Sequence, residues 1–215
     1  MRNRVVVFGR VPEPGRVKTR LAAAIGAGVA ARVYRAVLEY TLGEAIATGW
    51  PVTLALAEPS SPGLNWLVPA GVDVELQVGG DLGTRMANAF AAHFRGGNDV
   101  VVLVGSDVPL LDQTLMREAV MSCERVPVVL GPAADGGYYL VAERAPGLEI
   151  FGGIPWSVSE TLATTRARLR ALGSPHEELR VLRDLDTRED LEAFLAESAR
   201  DHALRRGIEA ALAAG

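Results

Sequence analysis

Cysteine is nearly missing from this chain of 215 residues: Cys123 stands alone, which excludes an internal disulfide. A lone cysteine fits a reducing compartment, so a cytoplasmic protein is expected. Histidine is scarce as well; His93, His176 and His202 lie far apart, and no Cys/His spacing suits a zinc site. No run approaches the ~20 apolar residues of a membrane span. The apolar run Val5–Phe8 behind Met-Arg-Asn-Arg is too brief for a signal-peptide core and reads as a buried strand. Net positive charge is missing too. The formal charge is −4, so no overall field draws in nucleic acid or an anionic membrane. Any anion site has to be built locally.

What is present is a hydrophobic share of 49%, too high for disorder. The length suits one α/β domain over residues 1–215, with no repeat or linker. Short apolar runs alternate with longer helical stretches, the pattern of βαβ units around a mainly parallel sheet. Strands are expected at Val5–Arg10, Pro51–Ala57, Val72–Val78, Asp99–Val104, Pro127–Gly131, Tyr138–Glu143 and Leu179–Leu182. The five apolar residues Val100–Val104 mark the sheet centre. Helices are expected from Thr19 to about Gly49 with a break at Gly26-Ala27-Gly28, and over Gly83–Phe94, Asp112–Cys123, Ser157–Leu172 and from Thr187 onward. Within the first, Val33, Val37, Tyr40 and Leu38, Leu42, Ile46 recur at helical steps. Asp112 and Thr187 are candidate N-caps, and Ser157 with Glu160 reads as a capping box.

The first strand ends in Arg10-Val-Pro-Glu-Pro-Gly15-Arg16-Val-Lys18-Thr-Arg20. Four cations therefore crowd a loop shaped by prolines, in a chain that is acidic overall. The helix that follows points its unpaired N–H groups back at this loop, and the combination suits a polyphosphate. It is neither a Walker loop nor a dinucleotide fingerprint, since the required Gly-Lys-Ser/Thr and glycine spacings are missing. A solvated basic loop is the bland alternative. Its place at the carboxyl end of strand one favours the phosphate reading, because open α/β sheets bind ligands there.

Asp107 directly follows the fully apolar run Val100–Val104, on the same rim if the sheet is parallel. A carboxylate there suits magnesium, which takes one or two carboxylates plus substrate phosphates; Ser106-Asp107-Val-Pro109 is also ordinary turn chemistry. Asp184 and Asp186 precede the helix that Thr187 can cap; Asp186 then sits just outside the cap, free to reach a ligand, but capping and dipole complementarity explain the acidic cluster better than a ligand does. Asp135-Gly136-Gly137-Tyr138 is a strong hairpin signal or a third ligand or acceptor contact, with the two readings even. Gly79-Gly80-Asp81-Leu82-Gly83 reads as a turn into a helix, or as backbone that lets a planar base approach. Gly152-Gly-Ile-Pro-Trp156 can line an acceptor pocket, although Trp156 fits the core as well.

Five ordered motifs carry a resemblance that spans Val5 to about Leu195. They are Pro14-Gly15-Arg16-Val-Lys18-Thr-Arg20-Leu, Gly80-Asp81-Leu82-Gly83-Thr-Arg85-Met, Gly105-Ser-Asp107-Val-Pro, Gly131-Pro-Ala-Ala-Asp135-Gly136-Gly137-Tyr138-Tyr-Leu, and Asp184-Leu-Asp186-Thr. The set resembles a bacterial family placed with the GT-A nucleotide-diphospho-sugar transferases and often labelled glycosyltransferases. More distantly it is similar to 2-phospho-L-lactate guanylyltransferase and molybdenum-cofactor guanylyltransferase. The resemblance implies a GT-A Rossmann-like three-layer α/β/α sandwich and a divalent ion, Mg2+ or Mn2+, on Asp107 with Asp186 as second ligand. It implies phosphates on Arg10, Gly15, Arg16, Lys18 and Arg20, and a base bordered by Gly80, Asp81, Leu82, Gly83 and Arg85. Asp135, Gly136, Gly137, Tyr138 and Trp156 would face the acceptor. The family's usual lysine is Arg10 here, which keeps the charge but not the geometry.

The first expectation is nucleotidyl transfer from a nucleoside triphosphate to a phosphorylated small acceptor, with Lys18 and Asp107 as catalytic groups and pyrophosphate released. The second is glycosyl transfer from a nucleotide-sugar, with Asp135 as base. The third is a nucleotide-binding protein without catalysis.

Overall fold

A computed structural model describes residues 1–59, 68–200 and 202–214. Seven strands form one sheet in the order β3-β2-β1-β4-β6-β5-β7. They are β1 (Asn3–Gly9), β2 (Val52–Leu56), β3 (Val72–Leu76), β4 (Val100–Gly105), β5 (Val128–Pro132), β6 (Tyr138–Arg144) and β7 (His176–Glu178). β1, β2, β3 and β4 pair in parallel, as do β5 and β7, and β6 runs against both of its neighbours. The run Val100–Val104 lies at the centre and is buried throughout, as a strand covered on both faces must be.

Seven helices complete the described fold: α1 (Thr19–Ile25), α2 (Ala27–Ala47), α3 (Leu82–Arg95), α4 (Gln113–Ser122), α5 (Thr161–Ala171), α6 (Arg188–Glu197) and α7 (Ala203–Ala213). On one face of the sheet, Leu38 and Leu42 of α2 and Leu115 and Met116 of α4 pack on Val5, Val7, Leu54 and Val102. On the other, Met86 and Phe90 of α3 and Leu162 and Leu169 of α5 pack on Val6, Phe8, Leu103 and Val141. The alternation of successive β1 residues between these two cores is the period-two geometry of a strand. The second stripe of α2, Val33 and Val37, meets Phe194 of α6 and Leu204 and Ile208 of α7, so this long helix is buried on two sides. Among the described residues no helix is long and apolar enough to cross a membrane.

Two expectations need correction. The helix begins at Thr161 rather than Ser157, and no capping box forms there. Ser157 sits at φ 61, and Thr161 Oγ1 donates to the carbonyls of Pro155 (2.7 Å) and Val158 (2.8 Å), so residues before it make a turn. The last strand is His176–Glu178, ahead of the apolar run Leu179–Leu182; only Leu182 bridges to Ala133. Polar side chains form it because it is an edge strand, held by main-chain pairing with β5. β3 is also an edge, and its apolar residues Val74 and Leu76 are exposed.

Candidate active site

Parallel strands bring β1 and β4 to the same rim, and the segments following them meet there. Lys18 is the N-cap of α1 in the left-handed conformation, φ 46 and ψ 48, a backbone shape uncommon for a side-chain-bearing residue. That turn sends its side chain inward, leaving it 3% exposed. Nζ lies 2.6 Å from Asp107 Oδ1 and 2.7 Å from Asp186 Oδ1. Burial alone would lower the lysine pKa, but the two carboxylates outweigh burial and hold it above its ordinary value. The Tyr34 ring of α2 lies beneath, 5.9 Å from Nζ. Its hydroxyl accepts from the Arg10 N–H at 2.8 Å and is 2.9 Å from Ser106 Oγ, which ties the basic loop to the turn after β4. Burial, then the nearby Asp107, pushes the Tyr34 phenol up to about 12.

Asp186 arrives just outside the α6 cap. Thr187 caps that helix in a full capping box with Asp190, and Leu185 N–H donates to the Asp107 carbonyl at 2.9 Å. The main chain therefore joins the two Asp-bearing segments directly.

Two cavities share this seam. One, of about 550 Å³, is lined by Arg10, Lys18, Thr19, Arg20, Gln77 and Arg85 together with Asp107 and Asp186. The other, about 270 Å³, is lined by Phe8, Met86, Tyr138 and Trp156 and by the carboxylates Asp107, Asp135, Asp184 and Asp186; among the described residues no Lys, Arg or His lines it. Burial first, then Asp135, Asp186 and Asp107 in turn, pushes the Asp184 carboxyl up to about 8. Asp135 also makes the hairpin turn, its Oδ1 accepting from Gly137 N–H at 2.8 Å.

The structure thus brings Arg10, Lys18, Arg20, Leu82, Arg85, Asp107 and Asp186 to one cleft, with Asp135, Gly137, Tyr138 and Trp156 in the adjoining pocket. It does not bring all the expected residues there. Gly15, Arg16 and Gly80 lie outside both linings. Arg16 is exposed and pairs with Glu13 at 3.1 Å. Asp81 caps α3 by accepting from Thr84 N–H at 2.7 Å. Gly83 packs under the Trp156 indole, where a Cβ would lie 2.6 Å from the ring. Gly136 passes so close to Ser159 that a Cβ would overlap its carbonyl oxygen. Gln77 and Tyr34 join the site without having been singled out, and Asp184, read only as part of the acidic cluster with Asp186, joins it too. Of these only Asp184 had a signal: in extended chain, residues two apart share a face with Asp186.

Among the described residues no three His, Cys, Asp or Glu side chains are arranged to hold a metal ion by themselves. Asp107 and Asp186, partly exposed beside the cationic cleft, are the residues that could hold a divalent ion, which would complete its shell with phosphates and water.

A nucleotide-diphospho-sugar transferase from Desulfovibrio desulfuricans G20, so assigned by inference, superposes with a TM-score of 0.89 at 29% identity, covering 99% of this chain and 97% of that one. Rv0371c from Mycobacterium tuberculosis H37Rv, solved with manganese, has a TM-score of 0.55 at 19% identity, with 92% and 100% covered. CMP:2-keto-3-deoxy-manno-octonic acid synthetase complexed with CTP has 0.56 at 15% identity, with 92% and 99% covered. No curated protein matches the chain. The fold is the GT-A Rossmann-like α/β/α sandwich of the nucleotide-diphospho-sugar transferases and cytidylyltransferases. The model of DUF2064, described as an uncharacterized protein conserved in bacteria, matches residues 41–158, more than half of the chain, and the chain belongs to that family.

Proposed function

We propose that the protein is a magnesium- or manganese-dependent transferase that moves a nucleotidyl group from a nucleoside triphosphate to a phosphorylated small acceptor, releasing pyrophosphate. The observation that carries this reading is Lys18 bridging Asp107 and Asp186 between a basic cleft and an acidic, aromatic pocket. The triphosphate lies in the cleft, against Arg10, Lys18 and Arg20. The acceptor's organic part fills the pocket beside Tyr138 and Trp156, and its phosphate reaches the rim.

Asp107 and Asp186 would hold the metal, which when bound supplies Lewis-acid stabilisation of charge on the phosphates. Lys18 holds both carboxylates in place and lies beside the charge that develops on the α-phosphate. An acceptor phosphate is already an anionic nucleophile, so no general base is needed. The work left to the protein is alignment and charge neutralisation. The fold shared with a synthetase solved with CTP and with a protein solved with manganese supports the reading.

One observation favours glycosyl transfer as a second reading. The smaller pocket carries Asp135 and Asp184 and no basic residue, a lining that suits an uncharged hydroxyl acceptor and offers it a base. Product analysis separates the two: pyrophosphate from a triphosphate panel, or nucleoside diphosphate from a nucleotide-sugar panel. Magnesium-dependent thermal stabilisation by triphosphates, about 2.7 kcal/mol at a hundred times Kd, is expected for the first. Stabilisation and turnover with nucleotide-sugars alone would overturn it.

A further inference from the structure

We propose that the cavity between α3 and the segment following β6 is a second ligand site, and that it binds a small organic ammonium ion with an apolar body, the ammonium pairing with Glu143. Binding there does not depend on which group is transferred at the rim.

The cavity measures about 660 Å³, within the size range of small-molecule sites. α3 supplies Phe90, Ala91 and Phe94 to it, and the segment after β6 supplies Leu148, Phe151 and Trp156. Four of these side chains form a continuous run of rings. Phe94 lies 5.9 Å from Phe90 between ring centroids, Phe90 stacks on Phe151 at 5.7 Å, and Trp156 lies 6.3 Å from Phe151. Trp156 also lines the smaller rim pocket, so its indole stands between the two spaces. Glu143 is set away from that rim. It pairs with Val101 near the start of β4, whereas Asp107 follows the end of that strand.

Glu143 lines the cavity and is 1% exposed. One carboxyl oxygen, Oε2, accepts from Leu148 N–H at 3.0 Å; the other, Oε1, has no partner among the described residues. A buried polar atom in that state is costly and rare in folded proteins. Gly147, at φ +85, is what lets the chain close over the carboxyl: a Cβ there would lie 2.7 Å from the Phe94 ring and 3.0 Å from Glu143 Oε2. Burial raises the pKa of this carboxyl, and no cation among the described residues counters it.

The lining defines the missing partner. Among the described residues no Lys, Arg or His borders the cavity, whereas Asp81 and Glu149 add two carboxylates to Glu143. An anion would be repelled by all three. A water molecule would satisfy Oε1 but leave the apolar volume unfilled. An ammonium ion supplies the donor and the charge that Oε1 lacks, the ring faces attract it further, and its carbon body fills the space beside Phe90, Leu148 and Phe151.

The test is calorimetric titration of the full chain at about pH 8, above the raised pKa of Glu143, with phenethylammonium, phenethyl alcohol and hydrocinnamate. These probes share an apolar body and differ in the head group. The ammonium is expected to bind at least roughly tenfold more tightly than the alcohol, about the value of one charge-assisted hydrogen bond, and hydrocinnamate should not bind. Glu143→Gln keeps an oxygen for Leu148 N–H but removes the charge, and should weaken the ammonium about 30-fold while sparing the alcohol. Ala91→Leu keeps a good helix former on α3 and fills the cavity, so it should abolish binding of both. Equal affinity for ammonium and alcohol would overturn the inference, as would no binding of the ammonium up to low-millimolar concentration. Ammonium binding that persists unchanged in Glu143→Gln or in Ala91→Leu would overturn it too, and would move the cation to the carboxylates of the rim pocket.

Discussion

The two sides of the Lys18 seam have opposite character. Toward β1, β2 and β3 the cleft presents Arg10, Arg20 and Arg85; toward β6 the pocket presents Asp135 and Asp184 and no basic group. A chain with formal charge −4 has no global attraction for phosphate. It builds a local cationic surface by sorting charge across a few strands of one sheet. The difference teaches that net charge bounds long-range steering but says little about what a cleft a few ångströms across will hold. Lys18 lies at the seam, since it is the cleft cation that two carboxylates lining both sides clasp.

The largest effect expected is from breaking that seam. Lys18→Ala and Asp107→Ala should each lower the transfer rate on the order of 10²–10³-fold, the scale of losing one preorganised stabiliser. Near wild-type turnover in both would refute the assignment.

Next is Glu143, on β6 but away from the rim. It is 1% exposed, one oxygen accepts from Leu148 N–H at 3.0 Å, and the other has no partner. Burial pushes its carboxyl up to about 7 from the usual 4.5. Between those values the unfolded chain ionises while the folded one does not. The stability this group contributes is therefore complete below pH 4.5 and lost as pH rises through about 7. Glu143→Gln should remove that slope and raise stability at pH 8 on the order of 2–3 kcal/mol, with donor and acceptor KM unchanged. A variant with the same pH dependence of Tm as the wild type would show that Glu143 is not the source of that slope.

Gly83→Ala forces a methyl against the Trp156 indole that lines the smaller pocket, and should destabilise by about 1–3 kcal/mol. An unchanged Tm would mean the indole moves freely. The smallest expected effects sharpen the comparison most directly. Arg10→Ala should raise KM for the nucleotide roughly tenfold, about 1.4 kcal/mol, and leave the acceptor KM alone. Asp135→Asn keeps the turn-forming oxygen and should do the reverse. If each variant shifted both KM values equally, the two sides would not be separate sites.

Much of this architecture was legible from residue pattern. The unbroken apolar run of β4 announced the central strand, Gly26 marked the break between α1 and α2, and Asp112 and Thr187 cap the helices expected of them. Each is a local signal with a local cause. β7 was misplaced because an edge strand needs only main-chain partners, which hydrophobic pattern does not report. The Ser157 box failed because Thr161 found nearer carbonyls. Of the site, strand-end position suggested the basic loop and Asp107. The clasp of Lys18 on Asp186 spans 168 residues, and nothing in the chemistry of either neighbourhood announces so distant a partner. Tyr34 and Gln77 read as ordinary helix and strand-end residues until the fold places them against the cleft.

The bond from Leu185 N–H to the Asp107 carbonyl has a practical consequence. Because it is made by peptide groups, it survives replacement of any side chain except by proline at Leu185. Substituting either carboxylate therefore removes charge while the two segments stay stitched together. An inactive Asp107 or Asp186 variant with an undisturbed melting curve can be read as lost chemistry rather than lost shape.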